Sequence, residues 1–416
     1  MTSQKTAELR DKRAAACPRE LSIYSLTTGD GAGRARELFG ALAERGPVHW
    51  DPYVAAWLIC GVTEVTAVLA DDRFSSYRSA YSHGEAPAAG ETDLNAVAAR
   101  MLLLKDGADH LRLKRVVQAV LSPRRIKALE PWMRELAAEL LPAGSGPMDF
   151  AGTVARDFPL RVLAKLLGIP AADLPMVLAG SDAMTEIVGG LNPTLDEEVH
   201  RKARRLHDYA LRMVREARAN PRDDGTTDFV AAADAAGGFD DADIAANLVM
   251  LIASGHQTLP GFLTLSLQDA FAQPDKALRP VPDALAHVTP SRFVGRVVTE
   301  RVELGGCLLE TGDAVVVLLA AANWSLPPAE PGKPLRHLAF GHGRHRCAGA
   351  AMAELEAAVM FDRLAAVCPV TGSGTPTLNT DVNLPALTSQ PIELPATTGC
   401  PTHPVISSED IDHGHQ

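Results

Sequence analysis

The sequence predicts a mainly α-helical protein with a small β region, and three observations lead there. Apolar residues recur at helical spacing over six long stretches. Period-two alternation is confined to two segments. The composition, 46% hydrophobic and 22% charged over 416 residues, is that of an ordinary globular chain with enough apolar mass for a large core.

The helical stretches are 108–120, 126–141, 154–167, 196–218, 241–258 and 349–367. The strand segments are 48–60 and 296–320, the second alternating around turns at Gly305-Gly306 and Thr311-Gly312-Asp313. Residues 1–20 and 401–416 read as loose tails on a single domain spanning 21–400, without repeats or low-complexity linkers. Residues 76–100 are rich in Gly, Ala and Ser and read as a mobile loop; loops of that length tend to carry function.

Charge and hydropathy narrow the function. A net charge of -11 argues against a nucleic-acid binder, which needs a basic face. The longest apolar run, Ala314 to Ala322, falls short of the roughly 18 residues of a membrane span. The N-terminus is charged throughout and lacks the apolar core of a secretory signal, so a cytoplasmic protein with no membrane partner is expected. The cysteines Cys17, Cys60, Cys307, Cys347, Cys368 and Cys400 are scattered, which speaks against a disulfide framework or structural zinc site.

One cysteine has unusual neighbours. The segment Phe340-Gly341-His342-Gly343-Arg344-His345-Arg346-Cys347-Ala348-Gly349 runs directly into a helix. Glycines on either side permit a tight turn with free N–H groups. The helix start and the cations at 344–346 favour a thiolate. Taken alone, a cysteine beside a helix start is usually just buried, and a zinc site from His342, His345 and Cys347 would lack a fourth ligand.

The ten residues resemble the FxxGxHxCxG signature of the cytochrome P450 superfamily at every defined position, and the resemblance extends over nearly the whole chain. It implies the cytochrome P450 fold, a haem b cofactor and Cys347 as axial ligand, with Phe340 and Gly349 beside the haem. A thiolate ligand pushes electron density onto haem iron and favours O–O cleavage. His110, Lys114, Arg296 and His345 match the positions that meet the haem propionates. Ser254-Gly255-His256-Gln257-Thr258-Leu259 matches the distal-helix motif, so Gly255, Gln257 and Thr258 are the expected catalytic residues. Gln257 stands where the family carries an acid, and Pro260 should kink the helix.

The resemblance also departs on the proximal side. The ExxR motif falls on Asp283 to Ala286, so its arginine is missing, and a further family arginine falls near Gly332. Apolar packing was expected to replace that charged brace. Because Gln257 cannot ionise, the sequence reading favours nitrene-like group transfer from an N–O activated substrate, or peroxide use, in bacterial specialised metabolism. Its alternatives are a conventional O₂-dependent monooxygenase fed by ferredoxin and ferredoxin reductase, and a non-catalytic partner subunit. The substrate is expected to be a mid-sized, mostly apolar small molecule, with Met184, Ile187, Val188, Leu191, Ile252 and Phe293 among the lining. Arg112, Arg115, Arg124, Arg125, Arg344 and Arg346 would form a basic docking face.

Overall fold

A computed structural model describes residues 10–27, 31–77, 92–144, 146–189, 195–273, 277–327, 336–367 and 369–394. Most of the 76–100 loop, Leu191, Gly332, Cys368, Cys400 and the 401–416 tail lie outside the described residues. Helices among these residues are α1 (Ala35–Arg45), α2 (Val62–Ala70), α3 (Leu94–Ala99), α4 (Gly107–Val120), α5 (Pro123–Leu140), α6 (Asp157–Leu167) and α7 (Leu174–Gly189). They continue with α8 (Glu197–Ala219), α9 (Gly225–Ala236), α10 (Asp241–Ala272), α11 (Val281–Val288), α12 (Leu319–Trp324) and α13 (Ala350–Ala366). Each of the six expected helices is present with ends shifted by a few residues, except the distal one, which is far longer.

That helix, α10, is the axis of the fold. Asp240 and Asp243 close a capping box at its start, each side chain accepting from the other's backbone N–H. It packs against α6, α7 and α8 and buries residues around its whole circumference. By length and composition α10 could cross a membrane, and here it lies inside the helical core. The clear apolar period covers 241–258, and Pro260 was expected to kink the helix. The helix runs on through Pro260 to Ala272. Pro260 has no N–H, so the His256 carbonyl loses its helical donor.

The strands are β1 (Val48–Asp51), β2 (Ala56–Ile59), β3 (Phe74–Ser75), β4 (Pro147–Asp149), β5 (Val294–Val298), β6 (Val302–Leu304), β7 (Cys307–Leu309) and β8 (Ala314–Val317). Four short ones follow, β9 (Thr371–Gly372), β10 (Thr377–Leu378), β11 (Leu387–Ser389) and β12 (Pro391–Glu393). One five-stranded sheet has the order β1-β2-β8-β5-β3, with β2 and β8 parallel and the other pairs antiparallel. β6 and β7 form a hairpin whose turn uses Gly305 and Gly306, both at positive φ. The sheet has its own apolar cluster around Trp57, Ile59 and Val317, separate from the helical core.

The N-terminal tail is a correction. From residue 10 onward the chain is attached to the sheet: Arg10 bridges to Cys307, and Cys17 N donates to Trp50 O at 2.8 Å. Lys12 pairs with Asp313, whose other oxygen accepts from the Trp57 indole at 2.7 Å. Exposed Ala14 and Ala16 alternate with buried Ala15 and Cys17, too briefly and with too little contrast to register as a strand in sequence.

Candidate haem-thiolate site

The Cys347 loop is shaped by its own backbone. Gly341 and Gly343 have φ of 70° and 69°, a region open to glycine at no steric cost. A Cβ on Gly343 would stand 2.4 Å from the Leu69 carbonyl oxygen, so the loop lies directly on the end of α2. Cys347 N donates to Phe340 O at 2.9 Å, and the Gly349 N–H points at the Cys347 sulfur, opposing the rise that burial imposes on its pKa. Phe340 is half-buried against the core and Gly349 caps α13. The Cys347 side chain is accessible, although protein surrounds it closely enough to desolvate it.

The residues expected at the propionates come together in space. The His110 and His345 rings are 4.1 Å apart between centroids, and Arg296 is close enough to depress the pKa of both. Burial, then His345 and Lys114, push His110 down to about 4, so it is neutral near pH 7. Its Nδ1 is buried without a hydrogen-bond partner among the described residues. Two carboxylates would give that nitrogen a partner and balance the Arg296 guanidinium, so the residues fit haem propionates. Lys114 does something different. Its ammonium donates to the Arg344 carbonyl at 2.5 Å and the Arg346 carbonyl at 3.4 Å, tying α4 to the cysteine loop rather than standing free for a propionate.

Sequence reasoning missed Asp106. It directly precedes α4 and reads as an N-cap, yet its side chain makes no cap bond. It accepts instead from His345 at 3.1 Å, from Ser75 at 2.5 Å and from Ser76. Burial opposes its ionisation, but these donors together hold it below the usual carboxylate range. Asp106 therefore orients His345 and anchors β3 to the loop. Nothing local in the sequence signals this, because the partners are 30 and 239 positions away.

On α10, Ser254 and Gly255 are exposed in the middle of an otherwise buried helix, and Thr258 lies half-buried on the same face one turn on. Ser254 and Thr264 bond back to the carbonyls of Met250 and Pro260. Thr258 makes no such bond among the described residues, which leaves its hydroxyl available. Gln257 departs from the expectation. Its Nε2 donates to Asp182 Oδ1 of α7 at 2.6 Å. One residue along a helix is a rotation of about 100°, so Gln257 points towards α7 while Thr258 faces the open side. His256 is buried against Ser181 of the same neighbouring helix.

The expected gap in the proximal brace is filled by hydrogen bonds. Ala286 is buried on α11 where the family arginine would stand, and Asp283 lies near enough to His337 to raise its pKa against burial. The Asn323 amide donates to Thr289 Oγ1 at 2.9 Å, and its oxygen accepts from Leu338 N at 2.6 Å. The Trp324 indole and Arg36 both donate to the His287 carbonyl at 2.7 Å. The end of α11 is thus tied to α12 and to the chain entering the cysteine loop through a neutral amide, where apolar packing alone was expected.

Other expectations need adjusting. Met184, Ile187 and Ile252 are fully buried in the helical core, so they cannot line an open pocket; helical spacing marked them apolar without saying which face they take. Phe293 packs with a different cluster, around Phe39 and Leu318. Of the expected docking arginines, Arg125 pairs with Asp223 and Asp228, Arg344 pairs with Asp72, and Arg112 lies over the Phe239 ring. That reduces the basic face.

A helical body around one long central helix, with an accessible cysteine at the start of α13 and a cationic cluster beside it, is the architecture of a haem-thiolate enzyme. No family model matches the sequence. The 20-oxo-5-O-mycaminosyltylactone 23-monooxygenase of Streptomyces fradiae is 30% identical over 364 residues, 80% of this chain and 84% of the relative. The mycinamicin IV hydroxylase/epoxidase of Micromonospora griseorubida is 29% identical over 401 residues, 90% of this chain and 96% of its own length. The crystal structure of cytochrome P450 CYP109Q5 from Chondromyces apiculatus matches the fold with a TM-score of 0.78 at 21% identity, covering 90% of this chain and 98% of that one. The chain belongs to the cytochrome P450 superfamily and is a P450-type oxidoreductase.

Proposed function

We propose that the protein is a haem b monooxygenase of bacterial specialised metabolism, supplied with electrons by a ferredoxin and its reductase. It would insert oxygen into a mid-sized, mostly apolar small molecule. The observation that carries this reading is an accessible Cys347, held by the Gly349 amide, in the same loop as His345, whose ring packs on the buried His110. Haem bound there supplies the electron-rich iron that activates oxygen. The chain's own residues hold it: Cys347 as ligand, and His110, Arg296 and His345 for the propionates, with Asp106 orienting His345. Lys114 fixes the loop, and Thr258 offers a hydroxyl for an ordered water on the distal side.

The sequence reading placed group transfer from an N–O activated substrate first, because residue 257 cannot ionise. Two observations favour ordinary monooxygenation instead. Asp182 brings a carboxylate to Gln257, so the distal turn does not lack an acid. The two relatives described above are named for oxidation of 20-oxo-5-O-mycaminosyltylactone and mycinamicin IV. Those two compounds make a starting panel. The holoenzyme with a surrogate ferredoxin and reductase under ¹⁸O₂ should yield a product carrying labelled oxygen from such a panel. Anaerobic turnover of an activated N–O substrate, with no label incorporated from any candidate, would restore the group-transfer reading.

A further inference from the structure

The acid of the distal site has changed helices. We propose that Asp182 of α7 is a positioning residue of the distal site, acting through Gln257, and that the pair replaces the carboxylate expected on α10 itself. This deepens the monooxygenase reading and rests on it.

The geometry is a chain of contacts from the surface to the core. Arg156, which caps α6, donates to Asp182 Oδ2 at 2.9 Å, and both side chains are about half exposed. Asp182 Oδ1 accepts from Gln257 Nε2 at 2.6 Å. Gln257 Nε2 also lies 3.4 Å from His256 Nε2. His256 Nδ1 is 2.7 Å from the Ile252 carbonyl, which can only accept, so the proton sits on Nδ1 and Nε2 is a bare acceptor. Burial lowers the His256 pKa and keeps the ring neutral. Both N–H groups of Gln257 are therefore used, one on Asp182 and one on His256. That fixes the amide orientation by chemistry, since the reverse would set a carbonyl oxygen against a carboxylate.

A glutamine suits this place better than a glutamate would. Two carboxylates 2.6 Å apart could not both ionise. An amide avoids that conflict, donating one N–H to the Asp182 carboxylate and the other towards His256. Gln257 directly precedes Thr258, so the pair fixes the distal turn on which Thr258 sits. Glu186 stands one turn along α7 from Asp182. The carboxylate in contact with Gln257 is that of Asp182.

The test uses carbon monoxide on the reduced holoenzyme, reading its infrared stretch, because that frequency senses the electric field of the distal side. Asp182→Asn keeps the shape and an acceptor oxygen but removes the charge, and should move the band from its native position. Asp182→Asn with Gln257→Glu puts the acid on α10 and should return the band towards the native position. A band that stays at the native frequency in Asp182→Asn, or that the double variant does not bring back, overturns the proposal. Labelled-oxygen incorporation is read separately. Its absence alongside an Asp182-dependent band would sink the monooxygenase reading and leave Asp182 in place. Its presence with a band indifferent to Asp182 would remove Asp182 alone.

Discussion

The proximal and distal sides of the site are built in opposite ways. On the proximal side, residues 340–349 carry their own geometry: two glycines at positive φ, the Cys347 N–H on the Phe340 carbonyl, and the Gly349 N–H on the sulfur. On the distal side, Gln257 of α10 meets Asp182 of α7, which Arg156 at the start of α6 holds in turn, and the contacts of His256 and Gln257 with α7 each span 75 positions. A site made from consecutive residues can be read as a motif. A site assembled across helices tolerates exchange, because a carboxylate on either helix can occupy the same space.

The largest effect that sharpens this comparison is on the proximal side. Cys347→Ser should abolish the reduced carbon-monoxide absorption typical of thiolate-ligated haem, because a neutral hydroxyl donates far less charge to iron. Retention of that band in the variant would mean that another residue is the ligand.

The propionate cluster should respond less completely, since it is shared. Arg296→Ala with His345→Ala removes a guanidinium and an imidazole donor beside His110 and leaves Asp106 without its imidazole partner. Haem content after purification should fall severalfold while far-ultraviolet circular dichroism keeps its helical signal. Charge-assisted hydrogen bonds of about 1.5–3 kcal/mol each set that scale. Full haem occupancy would break the assignment.

The smallest effect tests the brace. Asn323→Ala leaves the Leu338 N–H and the Thr289 hydroxyl without their partner, which should cost about 1–3 kcal/mol in a urea titration. The carbon-monoxide band should survive, because the loop's own hydrogen bonds remain. An unchanged urea midpoint would return the brace to apolar packing alone.

How legible each part was follows from the range of the interactions. The helices at 108–120, 126–141, 196–218 and 349–367 were visible because amphipathic spacing is a local property. α10 extends well beyond the clear apolar period at 241–258, because burial on all sides sustains the helix past Pro260. α7 and α9 were not identified as helices at all; their apolar residues are too evenly spread to show a stripe. Residues 10–17 read as a tail because pairing with Trp50 and Cys307 supplies their order.

By itself the sequence determined the helical class, which rests on the spacing of apolar residues within a few turns. The cysteine loop and the residues expected around His110 were legible through their resemblance to a family pattern. The tertiary structure decided the partners of polar groups that reach across the core. It sent Asp106 to His345 instead of its own helix cap, Lys114 to the loop carbonyls, and Asn323 into the place of a charged brace. It also returned an acid to the distal turn from α7. The physical reason is common to all four. A buried polar atom must find a partner, and which atom is within 3 Å depends on how helices pack, which residue spacing does not encode.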